Sequence, residues 1–348
     1  MKKITPFLTA LCAVLTLVCG NARAGDKDLI GAGATFPYPY YAKLFDTYSQ
    51  EKGIKVNYQS IGSGGGVQQL KQKTVDFGGT DGFMDDKDIQ EAGAAILHVP
   101  TCLGAVVLSY NIAGNPALKL SFDLIVDIFL GKIEKWNDKR IAEINPGVKL
   151  PDTNIVTVHR SDGSGTTSIF SDYLSKVSAE WKERVGAGKS LNWPNGLGGK
   201  GNAGVAGLIQ QMPGSIGYIE LIYANQNKMA YADIKNKAGN FIKPSLASVS
   251  LSADVAIPDD TRVSITNTAA KDGYPISGFT WLVLYKEQNY SGRSQEKVDN
   301  LLKLLWWITH EGQKLAEPLD YAPLCKETVK KAEVILKSAT YNGAQIIK

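Results

Sequence analysis

The chain is poor in the side chains that hold metals and carry most acid–base chemistry. Only three of its 348 residues are histidine (His98, His159 and His310), and none stands in an H-x-x-x-H or carboxylate-rich spacing, so no zinc or other metal site is expected. Cysteine is scarce too. Cys12 and Cys19 fall in the first 24 residues, which leaves Cys102 and Cys325, too few for a metal cluster and compatible with either one disulfide or two free thiols. Charge of one sign is also lacking. The formal net charge is +4, but Lys2, Lys3 and Arg23 precede residue 25, and removing them leaves 35 basic against 34 acidic side chains. That balance gives no footprint for nucleic acid or an anionic membrane. No fixed-period repeat occurs, which excludes solenoids and propellers, and the 35 glycines follow no G-X-Y period.

What is present begins with an address label. Lys2 and Lys3, the apolar stretch 6–18 and Ala22-Arg-Ala24 read as a secretory signal cleaved after Ala24. The apolar run is shorter than the ~20 residues of a bilayer span. Val18 is not the small residue that lipid attachment at Cys19 would want. The expectation is a soluble, exported protein of two ordinary domains.

Strand-like and helix-like periods alternate through the rest. Strands are predicted at 28–33, 54–59 and 75–78, with helices at 37–50 and 67–73 between them; this is the pattern of a parallel sheet with crossover helices. Residues 102–112 and 274–285 read as long β-rich runs, and 122–149 as helical. A second strand–loop–helix unit spans 154–177, another strand 215–220, and helices are predicted at 295–309 and 328–339. The stretch 230–272 is polar and irregular. Two α/β lobes joined by crossing strands result, and ligands of such sheets sit at the carboxyl ends of strands.

Three segments share one plan of strand, glycine-rich polar turn and helix: Gly31-Ala-Gly-Ala-Thr-Phe-Pro37, Ile61-Gly-Ser-Gly-Gly-Gly66 and Arg160-Ser-Asp-Gly-Ser-Gly-Thr166. Each alone reads as an N-cap and a turn. Together they offer unpaired N–H groups at helix starts, the hydroxyls of Thr35, Ser63, Ser164 and Thr166, and the planar fork of Arg160, a donor set for a tetrahedral oxyanion. At Phe77-Gly-Gly-Thr-Asp81 a strand ends in a carboxylate. A carboxylate facing an oxyanion repels it unless the anion has a proton to donate. Phosphate keeps one near neutral pH and sulfate does not, so Asp81 is read as a selectivity filter.

These motifs, with Asp76-Phe-Gly-Gly-Thr-Asp81, Phe129-Leu-Gly-Lys-Ile-Glu-Lys-Trp136, Asn192-Trp-Pro-Asn-Gly-Leu-Gly-Gly-Lys-Gly-Asn202, Pro213-Gly-Ser-Ile-Gly-Tyr218 and Leu319-Asp-Tyr-Ala322, closely resemble the PstS family, the periplasmic phosphate-binding proteins of bacterial Pst ABC transporters. The resemblance covers essentially the whole chain after residue 24. It implies an α/β two-lobe, type II-like periplasmic binding protein that closes over one dehydrated phosphate. Lobe I would comprise 25–104 plus 275–348 and lobe II 105–274, hinged near 102–110 and 274–282. The implied ligands are Thr35, Phe36, Ser63 and Asp81 from one lobe and Arg160, Ser164, Gly165 and Thr166 from the other, with Asp162 orienting the arginine. The implied partners are inorganic phosphate and the permease and ATPase subunits of an importer; the protein is expected to be periplasmic, monomeric, free of cofactors and not an enzyme. The Trp-Pro segment is a family marker to which no ligand is assigned, and neither the two cysteines nor the stretch 230–272 follows the family pattern.

Two enzyme readings fail on spacing. Gly186-Ala-Gly-Lys-Ser190 resembles the end of a Walker A loop, but position 183 is Glu where that motif needs glycine, and Gly198-Gly-Lys-Gly201 lacks its hydroxyl residue. Gly163-Ser-Gly165 lacks the first glycine of a nucleophile elbow, because position 162 is Asp. The run Leu301 to Ile308, with Trp306 and Trp307, is read as core.

Overall fold

The computed structural model describes residues 27–347, so the signal segment expected at 1–24 lies outside the described residues. In chain order the elements that position the site are β1 (Leu29–Gly33), α1 (Tyr38–Lys52), β2 (Val56–Ser60), α2 (Ser63–Lys71), β3 (Phe77–Thr80), β4 (Ile96–Asn111), β5 (Val156–Arg160), α3 (Gly165–Val177), β6 (Leu197–Gly199), α4 (Gly201–Gln211), β7 (Ser215–Glu220), β8 (Ser277–Tyr285), α5 (Gln295–Thr309) and α6 (Lys326–Lys337).

The strands form one nine-stranded sheet in the order β2-β1-β3-β8-β4-β7-β5-β6, with the short strand Ala230–Tyr231 beside β4. β1, β2 and β3 are mutually parallel, as are β5, β6 and β7 in their pairs. The strand β4 divides this sheet. From Ile96 to Ala105 it pairs antiparallel with β8, and from Val106 to Asn111 with β7. Two half-sheets lie one on each side of that switch, and lobe I and lobe II here denote the parts built on β1–β3 and on β5–β7.

Each lobe has an apolar centre built as its periodicity requires. Along α1, Tyr40, Tyr41, Leu44, Phe45 and Tyr48 fall on one buried face. Tyr41 and Phe45 pack their rings on Tyr58 of β2, at centroid distances of 5.4 and 5.7 Å. In lobe II, Phe170 of α3 stacks on Tyr218 of β7 at 4.5 Å and meets Phe129 at 4.9 Å. Full burial of such side chains contributes roughly 1.5–3 kcal/mol each, so these contacts fix each helix on its half-sheet. At Gly66 the helix α2 comes so close to the sheet that a Cβ would lie 2.5 Å from the Ala32 carbonyl oxygen. The glycine cluster is thus partly a packing device.

The structure departs from the sequence reading in three places. α2 begins at Ser63, not near 67, because the glycines form its first turn. The segment 122–149 is not one helical stretch but two short helices, Phe122–Phe129 and Lys139–Ile144, interrupted where Gly131 takes a φ of 77°. The stretch 230–272 holds short strands and the helix Leu246–Ser252, whose Ser245 and Ser248 form a capping box. Beyond that helix, residues 259–262 reach across to lobe I. Thr261 Oγ1 donates to the His98 carbonyl at 3.0 Å, Arg262 Nη1 to that of Met84 at 3.2 Å, and Lys331 Nζ to Asp259 at 2.8 Å. His98 itself is buried, with Nε2 accepting from the Met84 N–H at 3.0 Å; burial lowers its pKa to about 3. Cys102 is buried, Cys325 is exposed, and both are free thiols. Trp307 is buried in the core, whereas Trp306 is half-buried and stacks on His310 at 4.6 Å. Among the described residues no helix is long and apolar enough to cross a membrane.

Candidate functional site

Parallel strands point their carboxyl ends, and the helix starts that follow, toward one edge of the sheet. Here that edge is the cleft between the half-sheets. β1 delivers Thr35 and Phe36, β2 delivers Ser63, and β3 delivers Asp81. From the other side β5 delivers Arg160 at its last residue and, after a short turn, Ser164, Gly165 and Thr166 at the start of α3. All eight predicted residues come together and are buried, with Thr35 at 6%, Arg160 at 4% and Asp81 at 3% exposure and the others at 0% or within the closed first turn of α3.

The lobes touch here. The Gly64 N–H donates to the Gly163 carbonyl at 2.8 Å. A Cβ on Gly165 would lie 2.4 Å from Asp81 Oδ2 and 2.5 Å from Ser63 Oγ. On the cleft's flank, Lys189 Nζ of lobe II donates to the Phe83 carbonyl and to Asp88 Oδ2 of lobe I, each at 3.2 Å.

The donors are arranged as the helix starts dictate. The first N–H groups of a helix have no partner within it. Among the described residues, no hydrogen bond engages the N–H of Thr35, Phe36, Ser63, Gly165 or Thr166. Ser164 acts as the cap of α3, its Oγ accepting from the Thr167 N–H at 3.0 Å, and its own N–H is taken by the Lys189 carbonyl at 2.8 Å. Its hydroxyl proton is the donor it has left. Arg160 is clamped from behind: Nε donates to Asp162 Oδ1 at 2.7 Å and Nη2 to Oδ2 at 2.5 Å, while Nη1 reaches Thr166 Oγ1 at 3.3 Å. Asp162, expected to orient the arginine, is the residue that holds two of its nitrogens. Burial by itself would raise the Asp162 pKa; the hydrogen bonds and charge of Arg160, with the Gly201 N–H at 3.0 Å, outweigh it and hold the carboxyl below its ordinary range. Tyr218 steadies the frame, its hydroxyl accepting from the Arg160 N–H at 3.0 Å and lying 2.6 Å from Thr167 Oγ1.

Asp81 differs from every other group in the cleft. Its Oδ1 accepts from Thr280 Oγ1 at 2.8 Å and its Oδ2 lies 3.4 Å from Ser63 Oγ. Burial pushes its pKa up to about 7, against the pull of Thr280, the Arg160 charge and Ser63. It is a carboxylate on the edge of protonation at neutral pH, facing a set of donors.

Two participants lie outside the three glycine motifs singled out in the sequence. Thr280 lies on β8, about two hundred residues from Asp81, and the two meet only through the β3–β8 pairing. Asn202 belongs to the Trp-Pro segment, for which the motifs imply no ligand; its Nδ2 donates to Thr35 Oγ1 at 2.8 Å and to Thr166 Oγ1 at 3.0 Å. Its place at the second residue of α4, directly after the β6 glycines, is the same strand–glycine–helix plan in a fourth copy. His159, the base a hydrolase would need, instead stacks on Trp193 at 4.8 Å and contacts the Arg160 carbonyl through Nδ1 at 3.0 Å. Among the described residues no group of histidine, cysteine and acidic side chains could hold a metal ion.

Residues 21–309 match the model of a PBP superfamily domain. The chain is 46% identical to the phosphate-binding protein PstS of Xylella fastidiosa over 308 residues, covering 87% of this chain and 83% of that one. It is 44% identical to the PstS of Pasteurella multocida, covering 90% of each. Among solved structures, a high-affinity periplasmic phosphate-binding protein bound with phosphate superposes with a TM-score of 0.70 at 23% identity, covering 89% of this chain and 93% of that one. A phosphate-binding protein from Stenotrophomonas maltophilia does so with 0.68 at 18%, covering 90% and 94%. Those two establish the two-lobe fold, and the far higher sequence identities establish the kinship: this chain belongs to the PstS family of phosphate-binding proteins.

Proposed function

We propose that this chain is an exported solute-binding protein that captures one inorganic phosphate between its lobes and delivers it to the permease and ATPase subunits of a Pst-type ABC importer. The observation that carries the reading is the donor set: unengaged N–H groups at three helix starts, four hydroxyls and Arg160 converge from both lobes, and, with Asp162 taken up in holding Arg160, Asp81 is the carboxylate left facing them. A dehydrated oxyanion needs a partner for each oxygen lone pair that water leaves. Hydrogen bonds to a charged group contribute roughly 1.5–3 kcal/mol each, and micromolar binding needs a net of only about −8 kcal/mol, so even a partly offset set of a dozen suffices.

Specificity follows from Asp81. Monohydrogen phosphate presents its proton to this carboxylate; sulfate presents a lone pair to a buried negative charge. Capture without turnover is expected, since the relatives this chain matches are named as binding proteins. The lobes are taken as 25–104 plus 275–348 and 105–274, with the pairing switch of β4 after Ala105 as one hinge and the start of β8 as the other, and the monomer as the working unit. A cleavable leader at 1–24 would place the mature protein in the periplasm.

Isothermal titration of the purified protein with phosphate and with sulfate tests the reading. One phosphate per chain at micromolar affinity or tighter is expected, with sulfate silent at the same concentrations. No heat with phosphate, or equal affinity for both anions, would overturn it. Incubation with a chromogenic phosphoester should release no product.

A further inference from the structure

We propose that Asn202 is a positioning residue that latches the two lobes together and turns the Thr35 and Thr166 hydroxyls into obligatory donors toward the captured anion. The proposal rests on the phosphate reading above and adds a residue to it.

The orientation of the Asn202 amide is fixed by what faces it. One terminal atom lies 2.9 Å from the backbone nitrogen of Glu220. A backbone N–H can only donate, so that atom is the amide oxygen. The other terminal atom is then the NH2 group, and its two protons go to Thr35 Oγ1 at 2.8 Å and Thr166 Oγ1 at 3.0 Å. The Asn202 backbone N–H adds a second bond to Thr35 Oγ1 at 3.2 Å. Arg160 Nη1 adds a second to Thr166 Oγ1 at 3.3 Å. A hydroxyl has two acceptor positions and one proton. With both acceptor positions of each threonine filled by N–H donors, each O–H proton is left to point elsewhere, toward the remaining space of the cleft. Asn202 is fully buried, so no water competes for these bonds.

The same amide spans the cleft. Thr35 follows β1 in lobe I, whereas Thr166 and Asn202 sit at the starts of α3 and α4 in lobe II. The bond to Thr35 exists only when the lobes are together. Asn202 thus couples the polarity of two ligand hydroxyls to closure: opening the cleft frees Thr35 from its two donors at the moment its hold on the anion ends.

The test compares substitutions that separate polarity from shape. Asn202→Asp keeps the volume but replaces two donors by an acceptor, which would draw both threonine protons away from the anion and set a negative charge beside it. Asn202→Leu keeps approximate volume and offers neither donor nor acceptor. Phosphate affinity is measured by calorimetry, dissociation by stopped flow, and folding by circular dichroism melts. The expected order is wild type tightest, Asn202→Leu weaker by roughly ten- to a hundredfold with the loss mainly in a faster dissociation, and Asn202→Asp weakest by at least a further tenfold. A packing role predicts the reverse order, with the aspartate the milder change because it alone is isosteric and polar. Wild-type affinity in Asn202→Leu, or an Asn202→Asp protein that binds as tightly as Asn202→Leu, would overturn the proposal while leaving phosphate binding intact. Should Asn202→Asp fail to fold, the affinity and dissociation rate of Asn202→Leu decide alone. A wild-type chain that does not bind phosphate would remove both this inference and the reading beneath it.

Discussion

Asp81→Asn is the perturbation with the most to say, because it changes one charge at nearly constant shape in a fully enclosed place. Burial raises the Asp81 pKa from 3.8 to about 7. In the unfolded chain the group ionises near its ordinary value. Between these limits the folded protein holds a proton that the unfolded chain has released, so stability is greatest below the lower value and falls as pH rises through the window. The whole shift corresponds to an order-of-magnitude penalty of about 4 kcal/mol, of which about 2.5 kcal/mol develops between pH 5 and pH 8. In the closed arrangement that buries Asp81, wild-type protein is expected to lose that much in unfolding free energy over this range from Asp81 alone, and Asp81→Asn to lose correspondingly less. The same substitution acts on selectivity. An amide no longer repels sulfate and accepts the phosphate proton less strongly, so the phosphate-over-sulfate ratio should narrow by at least roughly tenfold, starting from a discrimination that can reach 10⁴–10⁵. Competition calorimetry reads the ratio. If the variant keeps both the wild-type pH slope and the wild-type ratio, the account of Asp81 as a buried, proton-sensing acceptor is wrong.

Other perturbations probe the remaining parts. Arg160→Ala removes the guanidinium whose Nη1 and Nη2 each keep one N–H beyond those given to Thr166 and Asp162, and it leaves Asp162 without its partner; affinity for phosphate should fall by roughly a hundredfold or more in calorimetry, and an unchanged value would exclude the arginine from the site. Gly165→Ala places a methyl group 2.4 Å from Asp81 Oδ2 and 2.5 Å from Ser63 Oγ, both across the cleft. The variant should fold normally yet bind poorly, and small-angle scattering should show no compaction on adding phosphate; wild-type compaction would show that the lobes do not need this approach. Because Cys102 and Cys325 are free thiols, a reducing agent should leave the melting temperature where it was, and a drop of several degrees would reveal a bridge.

How much of the fold could be read depended on how local its causes are. The helix Tyr38–Lys52 follows from five apolar residues at helical spacing and Gly53 in the left-handed conformation at its end, a signal contained within sixteen residues. The helical reading of 122–149 failed because the run averages over a real break. Asp138 caps a new helix there by accepting from the Arg140 N–H at 2.9 Å, and a carboxylate in a charged stretch gives little warning of that role. The stretch 230–272 was unreadable for a different reason. Its order comes from contacts between residues far apart in the chain, with Asn236 Nδ2 holding the Lys271 and Gly273 carbonyls and Thr261 reaching His98.

The site divides along the same line. Residues that offer N–H groups at the start of a helix were legible, since a strand, a glycine turn and a hydroxyl in succession announce free N–H groups from the residue order alone. Residues that act by holding those groups were not. Thr280 reaches Asp81 only because β8 lies beside β3, and Asn202 reaches two threonines only because both lobes bring their turns to one point. This asymmetry has a physical origin. A binding turn is a local conformation, written in adjacent residues, whereas the direction in which its hydroxyl proton points is decided by whichever donors and acceptors the tertiary structure sets around it. A PstS-like chain that kept the three glycine turns but lost the amide at position 202 would look unchanged in its motifs. Its Thr35 hydroxyl would nonetheless be free to accept as well as donate, and the grip on an anion would weaken with every backbone N–H still in place.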